Sequence, residues 1–539
     1  MTARQIELDG TTLTLDEVVA IARADADHRP VVALAEPARL LTRTVRRYVE
    51  ENWLSDDAPA IYGINTGLGR LKDSRVHNED LLRYQQLILN SHSAGVGEPL
   101  SQEEVRAVLV LRVNALAKGN SGLREECLDR LLAMLNAGVH PVIPSQGSVG
   151  ASGDLAPLAH LVSAMVGHPQ AEAFYQDRRL PAQEALAAAG LAPTFELAPK
   201  DVICMINGST VSLAIAMLGL ADALRIARGA DVALALSLEA MRGEVAAFDR
   251  RIHEARNSES QQLVAANVRT LVAGSGRCTE AAREIQLPDE IRHGAYQARV
   301  QDAYALRCAP QVHGASRDLL GFARTLLERE ANAATDNPLV FPEEDGSYVV
   351  LSGGNFHGEP IAFAADMTAM AVSEIGSISE RRSYRLTEPG MSYGLPLNLV
   401  GGQLGLNTGF SLVHCSAAAL ASENKTLCFP ASVDSIPTKA NQEDHVSMST
   451  HGSRKMRRIV ENTWYILGIE LILAAQGVDL SAPLLAGAAL APATQRAFDL
   501  VRATLPATAE DHFQSPDMYA AADLVRSGRL DAEFAEVLV

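Results

Sequence analysis

The sequence predicts an all-α protein: a bundle of long helices with a smaller N-terminal lobe. Three observations carry this expectation. Aromatic residues make up only 5% of the chain while Ala and Leu are plentiful, a balance that favours helix packing over sheets. Past residue 205, apolar residues recur at helical spacing through long stretches. Val211 to Arg228 is apolar nearly all round with a single acid, Asp222; Leu319, Leu320, Ala323, Leu326 and Leu327 share a face, and 455–477 behaves alike. Strand signals are few and short, the clearest at Tyr348–Leu351. Helices this long and apolar stack as a bundle, and their buried faces often continue across subunits.

Along the chain, residues 5–15 alternate apolar and polar around Asp9-Gly10, which predicts a small β-hairpin. Thr14-Leu-Asp-Glu17 is a capping-box pattern opening the first helix. Residues 61–80 place three glycines around Tyr62, as a plain surface loop or an exposed lid. Ser101-Gln-Glu-Glu104 caps a helix with Val105, Val108, Leu109, Val113 and Leu116 on one face, ending at Gly119. After Pro141 and Pro144, Gly147 to His160 reads as a glycine-rich turn into a helix capped by Asp154, with Pro157 in its first turn. Residues 1–205 form the N-terminal lobe and 206–539 the central bundle and C-terminal helices.

Bulk properties exclude several classes. No run of about 18 apolar residues escapes interruption by charge, so no membrane span is expected. The N-terminus lacks the apolar core of a signal peptide, which places the protein in the cytoplasm. With a net charge of −18, a phosphate backbone would be repelled, so no nucleic acid is expected. The six cysteines show no Cys-x-x-Cys and no His at ligand spacing; they read as buried thiols in a reducing compartment, with no metal site.

The richest chemistry lies in Gly147-Ser-Val-Gly-Ala-Ser-Gly-Asp-Leu-Ala-Pro-Leu-Ala-His160. Its glycine spacing has neither Gly-x-Gly nor a following Gly-Lys-Ser/Thr, so it is a poor phosphate cradle. In Ala151-Ser152-Gly153, the Gly153 nitrogen can attack the Ala151 carbonyl if the loop is compressed, and only a residue without Cβ permits that approach. Loss of water from the closed ring and from Ser152 leaves an exocyclic methylidene, an electrophile no ordinary side chain supplies. Elsewhere, Asn90-Ser-His92 follows an apolar helical stretch, and Ile206-Asn207-Gly208 reads as a turn. In Gln301-Asp-Ala-Tyr304-Ala-Leu-Arg307, Tyr304 and Arg307 share a helical face; in a pocket the Arg is a fork for a carboxylate. Gly353-Gly-Asn-Phe356-His-Gly is a turn carrying one aromatic. Asn441-Gln-Glu443-Asp-His445 is densely polar between apolar helices, either a loop or a buried carboxylate with perturbed proton affinity.

Taken together and in order, over roughly residues 55 to 480, these strings and Thr335-Asp-Asn-Pro-Leu-Val-Phe341 resemble the aromatic amino acid ammonia-lyases and aminomutases. That family builds a 4-methylidene-imidazol-5-one (MIO) electrophile from the Ala-Ser-Gly tripeptide. The resemblance implies a fumarase/aspartase-like bundle whose N-terminal lobe carries the lid loop and the MIO loop. It also implies a homotetramer with shared active sites, an aromatic amino acid as substrate, and an MIO formed autocatalytically from Ala151, Ser152 and Gly153, without metal or nucleotide. By position, Tyr62 matches the lid-loop base that removes the β-proton, and Tyr304 a second active-site tyrosine. Asn207 and Gln301 match residues that hydrogen-bond the electrophile or substrate, and Arg307 the carboxylate-binding arginine. Phe356 matches an aromatic beside the MIO; His92 and Glu443 match positions facing the substrate ring. The resemblance also implies that Tyr304 and Arg307 are donated by a neighbouring chain. A β-hydrogen is scarcely acidic and ammonia leaves poorly, which is the difficulty an electron sink relieves. A phenol acting as base at neutral pH needs an electropositive, dry surrounding.

Asn441-Gln-Glu443-Asp-His445-Val-Ser-Met, Asp249 to Arg256 and Ala421-Ser-Glu-Asn424 resemble the histidine-specific branch, and Glu443 suits an imidazole N–H. Ser91-His92-Ser93-Ala94-Gly95 and Met391-Ser-Tyr393-Gly-Leu-Pro396 resemble tyrosine aminomutases more, and Leu68 stands where the lid string usually has Phe. The expectation is L-histidine converted to trans-urocanate, with a tyrosine or phenylalanine ammonia-lyase or 2,3-aminomutase as the alternative. Of other classes, Ser435-Ile-Pro437-Thr-Lys439-Ala-Asn441 only faintly echoes the MIO-free fumarase-type loop. An inactive helical scaffold has no use for intact Ala151-Ser152-Gly153, Tyr62, Tyr304 and Arg307.

Overall fold

The computed structural model describes residues 5–25, 28–285, 300–485 and 487–538. Helices dominate, as expected, and the chain divides into two compact units. The first is Met1–Ala221, Ala323–Asp366 and Pro430–Arg454; the second is Asp222–Phe322, Met367–Phe429 and Lys455–Val539. Residues 1–205 thus fall within the first unit, while 206–539 are shared between both.

In the first unit, both capping boxes form: Thr14 opens the helix Leu15–Arg23 and Ser101 opens Gln102–Ala117. The expected hairpin does not. Gln5–Leu8 pairs in parallel with Val31–Leu34, on the far side of the first helix in sequence. The reason lies at the turn. Asp9 Oδ1 accepts the Thr11 and Thr12 N–H groups at 2.7 and 2.9 Å, and Gly10 N–H donates to Asn114 Oδ1 at 2.9 Å. That side-chain-stabilised turn feeds the Thr14 cap and leaves no second strand to pair. The helix Gln102–Ala117 also departs from its one-faced expectation, for every residue from Glu104 to Ala117 is buried. Its one fully enclosed guanidinium, Arg112, is fully buried. The short strand Tyr348–Leu351 forms as expected, antiparallel to Leu339–Pro342.

The second unit is built on parts of long helices: residues 222–241 of Thr210–Met241, and the corresponding parts of Ala309–Ala331, Glu359–Thr387 and Ser449–Ser481. Buried ion pairs fix how these pack. Arg382 Nη2 donates to Glu470 Oε2 at 2.8 Å, and Ser237 and Ser379 donate to the same carboxylate at 2.7 and 2.6 Å. Asp231 is held by His313 Nδ1 at 2.8 Å, Arg317 at 2.7 Å and Asn267 at 2.9 Å. A buried charge with every lone pair engaged fits only one helix register; losing one partner would strand the other.

Two bulk expectations need correction. Thr210–Met241, Glu359–Thr387 and Ser449–Leu484 are long and apolar enough to cross a membrane, although most of each apolar window is already buried within the fold. Several of the charges that interrupt these runs are themselves buried, Asp231, Arg382 and Glu470 among them, and are paired inside the fold. All six cysteines are free, yet only Cys127 and Cys204 are buried; Cys415 is exposed on the outer face of Ser411–Leu427.

Candidate active site

Three segments of the first unit meet at Ser152. The first is the loop 147–154. Gly153 has φ +69°, a left-handed value that an L side chain adopts at a cost. A Cβ there would sit 2.2 Å from the Gly208 carbonyl carbon, so the loop lies flat on Gly208, and Asp154 N–H donates to the Gly208 carbonyl at 2.9 Å. Asp154 heads the helix Leu155–Val166 but does not cap it through its side chain, contrary to the sequence reading. Its fully buried carboxylate instead takes Ser148 Oγ and Thr450 Oγ1 on one oxygen, at 2.8 and 2.7 Å. The other oxygen takes Ser212 N and Oγ, at 2.8 and 3.0 Å. The loop is therefore tied at both ends of Ala151-Ser152-Gly153.

The second segment joins the helices Asp201–Ile206 and Thr210–Met241. Asn207 sits between them, and its Nδ2 donates to the Ser152 carbonyl at 2.9 Å. Behind it, Arg112 Nη1 donates to the Asn207 carbonyl at 2.8 Å and Nη2 to the Cys204 carbonyl at 2.7 Å. An amide donor aimed at the Ser152 carbonyl is placed where negative charge on that oxygen would be stabilised.

The third segment is the turn 438–443. Lys439, Ala440 and Asn441 have φ of +49, +52 and +65°. Three successive left-handed residues other than glycine each cost about 1–2 kcal/mol, and such strain concentrates at functional sites. The turn brings Glu443 against the loop: Oε1 accepts the Ser152 hydroxyl and Lys439 Nζ, the latter at 2.6 Å, and Oε2 accepts Thr438 Oγ1 at 2.6 Å. Burial pushes the Glu443 carboxyl up, but the hydrogen bonds from Lys439, Ser152 and Thr438 outweigh it and hold the group below its usual range, as a carboxylate.

Two cavities of about 950 and 730 Å³ open on either side and share Tyr62, Gly69, Ser152 and Asn207. Tyr84, His92 and Lys439 line the first. Ala151, Phe356, His357 and Glu443 line the second. Tyr62 OH accepts the Gly69 N–H at 3.3 Å. Within 61–80 the loop is buried from Gly63 to Gly67 and exposed at Leu71–Ser74 and His77–Asp80, so only its later half matches the exposed lid expected. Burial pushes the Tyr84 phenol up to about 12, with Tyr62 adding to the shift, so Tyr84 stays protonated. His92 ends the helix Leu81–His92, and its Nδ1 lies 2.9 Å from the Ile88 carbonyl. That oxygen can only accept, so Nδ1 carries the proton and Nε2 is left as an acceptor. Burial lowers the His92 pKa, outweighing the Ile88 hydrogen bond, and keeps the ring neutral.

The first unit thus brings together Tyr62, His92, Ala151, Ser152, Gly153, Asn207, Phe356 and Glu443. Gln301, Tyr304 and Arg307 belong to the second unit and are not among the residues lining these cavities. Gln301 is exposed, Tyr304 is 70% exposed, and the Arg307 guanidinium stacks 4.6 Å from the Tyr304 ring, as their spacing predicts. Arg112, Tyr84 and Lys439 escaped the sequence reading. Arg112 left a signal, as a charge inside a helix otherwise reading as core. Lys439 figured only in the faint fumarase-type echo at 435–441, and Tyr84 left no signal.

The tripeptide geometry fits closure of a ring between Ala151 and Gly153. Gly153 is already folded back, both flanks are pinned, and the Ser152 hydroxyl faces a carboxylate. The buried Asn207 Oδ1 has no hydrogen-bond partner among the described residues.

A model of the aromatic amino acid lyase family matches residues 13–503. The histidine ammonia-lyase of Koribacter versatilis is 46% identical over 98% of this chain and 99% of its own. Among solved structures, the histidine ammonia-lyase of Trypanosoma cruzi superposes with a TM-score of 0.87 at 39% identity, over 99% of this chain and 96% of that one. The tyrosine aminomutase of Streptomyces globisporus gives 0.88 at 35%, over 99% and 98%.

Proposed function

The chain belongs to the aromatic amino acid lyase family and is a carbon–nitrogen lyase, and from that premise we propose that it eliminates ammonia from L-histidine to give trans-urocanate. One observation carries the reading: the Ser152 hydroxyl and the Glu443 carboxylate touch in one cleft, so the precursor of the electrophile and an acceptor for a ring N–H share a site.

An MIO made from Ala151, Ser152 and Gly153 would supply an electron sink for the departing amine. Asn207 is placed to hold the Ser152 carbonyl, and Arg112 holds Asn207. Glu443 and His92 Nε2 are both acceptors. They suit an imidazole, which brings an N–H donor; a phenyl ring brings none and leaves the Glu443 lone pair facing the cleft unmet, although Lys439 and Thr438 still hold the carboxylate. Tyr62 is the group we assign to the β-proton, because Tyr84, its phenolic neighbour, is held protonated by burial. Gln301, Tyr304 and Arg307 serve a neighbouring copy's site, with Arg307 as the fork for the substrate carboxylate, in a homotetramer. The exposure of Gln301 and Tyr304 in the single chain supports this arrangement.

A tyrosine reading stays in view because His92 Nε2 can also accept from a phenol and because a tyrosine aminomutase shares the fold closely. The test offers L-His, L-Tyr and L-Phe and follows urocanate, coumarate and cinnamate by absorbance, with β-amino acids by chromatography. Urocanate as the dominant product is expected. Dominant coumarate or β-tyrosine would overturn the substrate assignment.

A further inference from the structure

We propose that Lys439 and Glu443 deliver the proton with which the Ser152 hydroxyl leaves as water when the electrophile is made; the inference rests on the reading of Ala151-Ser152-Gly153 given above. Hydroxide is a poor leaving group, so a dehydration at a serine Cβ needs a proton donor at Oγ. The structure places one chain of contacts there. Lys439 Nζ lies 2.6 Å from Glu443 Oε1, and the same oxygen meets Ser152 Oγ. Oε2 is tied to Thr438 Oγ1 at 2.6 Å, which fixes Oε1 between the ammonium and the hydroxyl.

The two other side chains that hold the loop by hydrogen bonds, Asp154 and Asn207, are poorly suited. Asp154 is fully buried and already accepts four hydrogen bonds. Asn207 carries no exchangeable acidic proton and faces the Ser152 carbonyl rather than its hydroxyl. Lys439, by contrast, has a side chain 39% exposed, so solvent can reload it, whereas Glu443 is 12% exposed and shielded. The three left-handed residues 439–441 curl the chain so that Lys439 reaches the Glu443 oxygen that meets the Ser152 hydroxyl.

The step balances without any redox partner. Lys439 first gives a proton to Oε1; the Ser152 O–H then turns away from Oε1, and Oε1 passes that proton to Oγ, which restores the carboxylate. The Ser152 Cβ–Oγ bond breaks, and Oγ leaves as water with its own proton and the relayed one. The Ser152 Cα–H proton passes to solvent, and its electron pair forms the Cα=Cβ bond. One water is lost and Lys439 is reprotonated from solvent. The departure of Oγ also frees a lone pair on Glu443 Oε1 toward the cleft, so the carboxylate that assists formation becomes available to the substrate ring.

Glu443 is the catalytic residue of this step, since it touches the leaving oxygen; Lys439 acts through it. The experiment compares intact mass, at fixed times after purification, for full-length wild type, Glu443→Gln and Lys439→Met at neutral and mildly acidic pH, with thermal unfolding as a folding check. Wild type should be two waters lighter than its encoded mass. Both variants should retain at least one water, with dehydration at least about tenfold slower, the low end of general acid contributions after partial compensation by water. Acidification should speed Lys439→Met, whose carboxylate can take protons from solvent, and leave Glu443→Gln unchanged, because an amide cannot. If Glu443→Gln fails to fold, the acid response of Lys439→Met decides alone. Variants that dehydrate as fast as wild type, or a slow Lys439→Met without acid rescue, would overturn the relay. A wild type at its full encoded mass would remove the underlying electrophile reading instead.

Discussion

Tyr62 and Tyr84 line the same cavity. Tyr84 is pushed up to about 12 and stays protonated, and Tyr62 OH accepts the Gly69 N–H at 3.3 Å. Tyr62→Phe keeps the bulk and removes the oxygen, so kcat should fall at least about 100-fold with a smaller change in KM; steady-state turnover near the wild-type value would move the role to another residue. His92→Phe removes a neutral acceptor, and kcat/KM for histidine should drop by roughly tenfold, the worth of about 1.4 kcal/mol, while phenylalanine turnover stays level or improves. Glu443→Gln, normalised to its dehydrated fraction, should cost roughly 10- to 150-fold on histidine, as expected for a charge-assisted hydrogen bond worth about 1.5–3 kcal/mol. Tyr62, His92 and Glu443 were legible because each sits in a string of unusual residues. Lys439 was not: it figured only in the faint fumarase-type echo at 435–441, and its place in the site comes from Glu443 and Ser152.

At the level of elements, legibility follows the distance to the stabilising partner. The Thr14 and Ser101 capping boxes form because donor and acceptor lie three residues apart. The hairpin at 5–15 fails because the Asp9 turn is completed by Asn114, a residue 104 positions away. Asp154 misleads for the same reason: local rules assign it to the helix start, while Thr450 and Ser212, distant in sequence, claim its oxygens. Gly153 gives the sharpest test of the loop's packing. Gly153→Ala would force a side chain into a left-handed φ of +69° and bring Cβ to 2.2 Å from the Gly208 backbone. The loop should then lift away, and the purified variant should keep its full encoded mass by electrospray; complete dehydration would show that the Gly153–Gly208 contact is dispensable.

For the whole molecule, composition and long helical periodicity were enough for an all-α bundle, because core burial leaves a repeating signature that no single contact can erase. How segments from opposite ends of the sequence meet at Ser152 was legible only through resemblance. The placement of Gln301, Tyr304 and Arg307 outside the cavities of a single chain makes the proposed sharing of sites testable by complementation. Tyr62→Phe and Arg307→Gln chains, each nearly inactive alone, should recover up to about a quarter of wild-type activity when co-expressed, the share of sites that draw both intact residues from different chains. No recovery would place each site within one chain. The proposed chemistry meets its most direct test in the mass of the Gly147–His160 peptide isolated from active enzyme. That peptide should be two water molecules lighter than its sequence; an unmodified peptide from protein that releases urocanate would contradict an electrophile built from Ala151, Ser152 and Gly153.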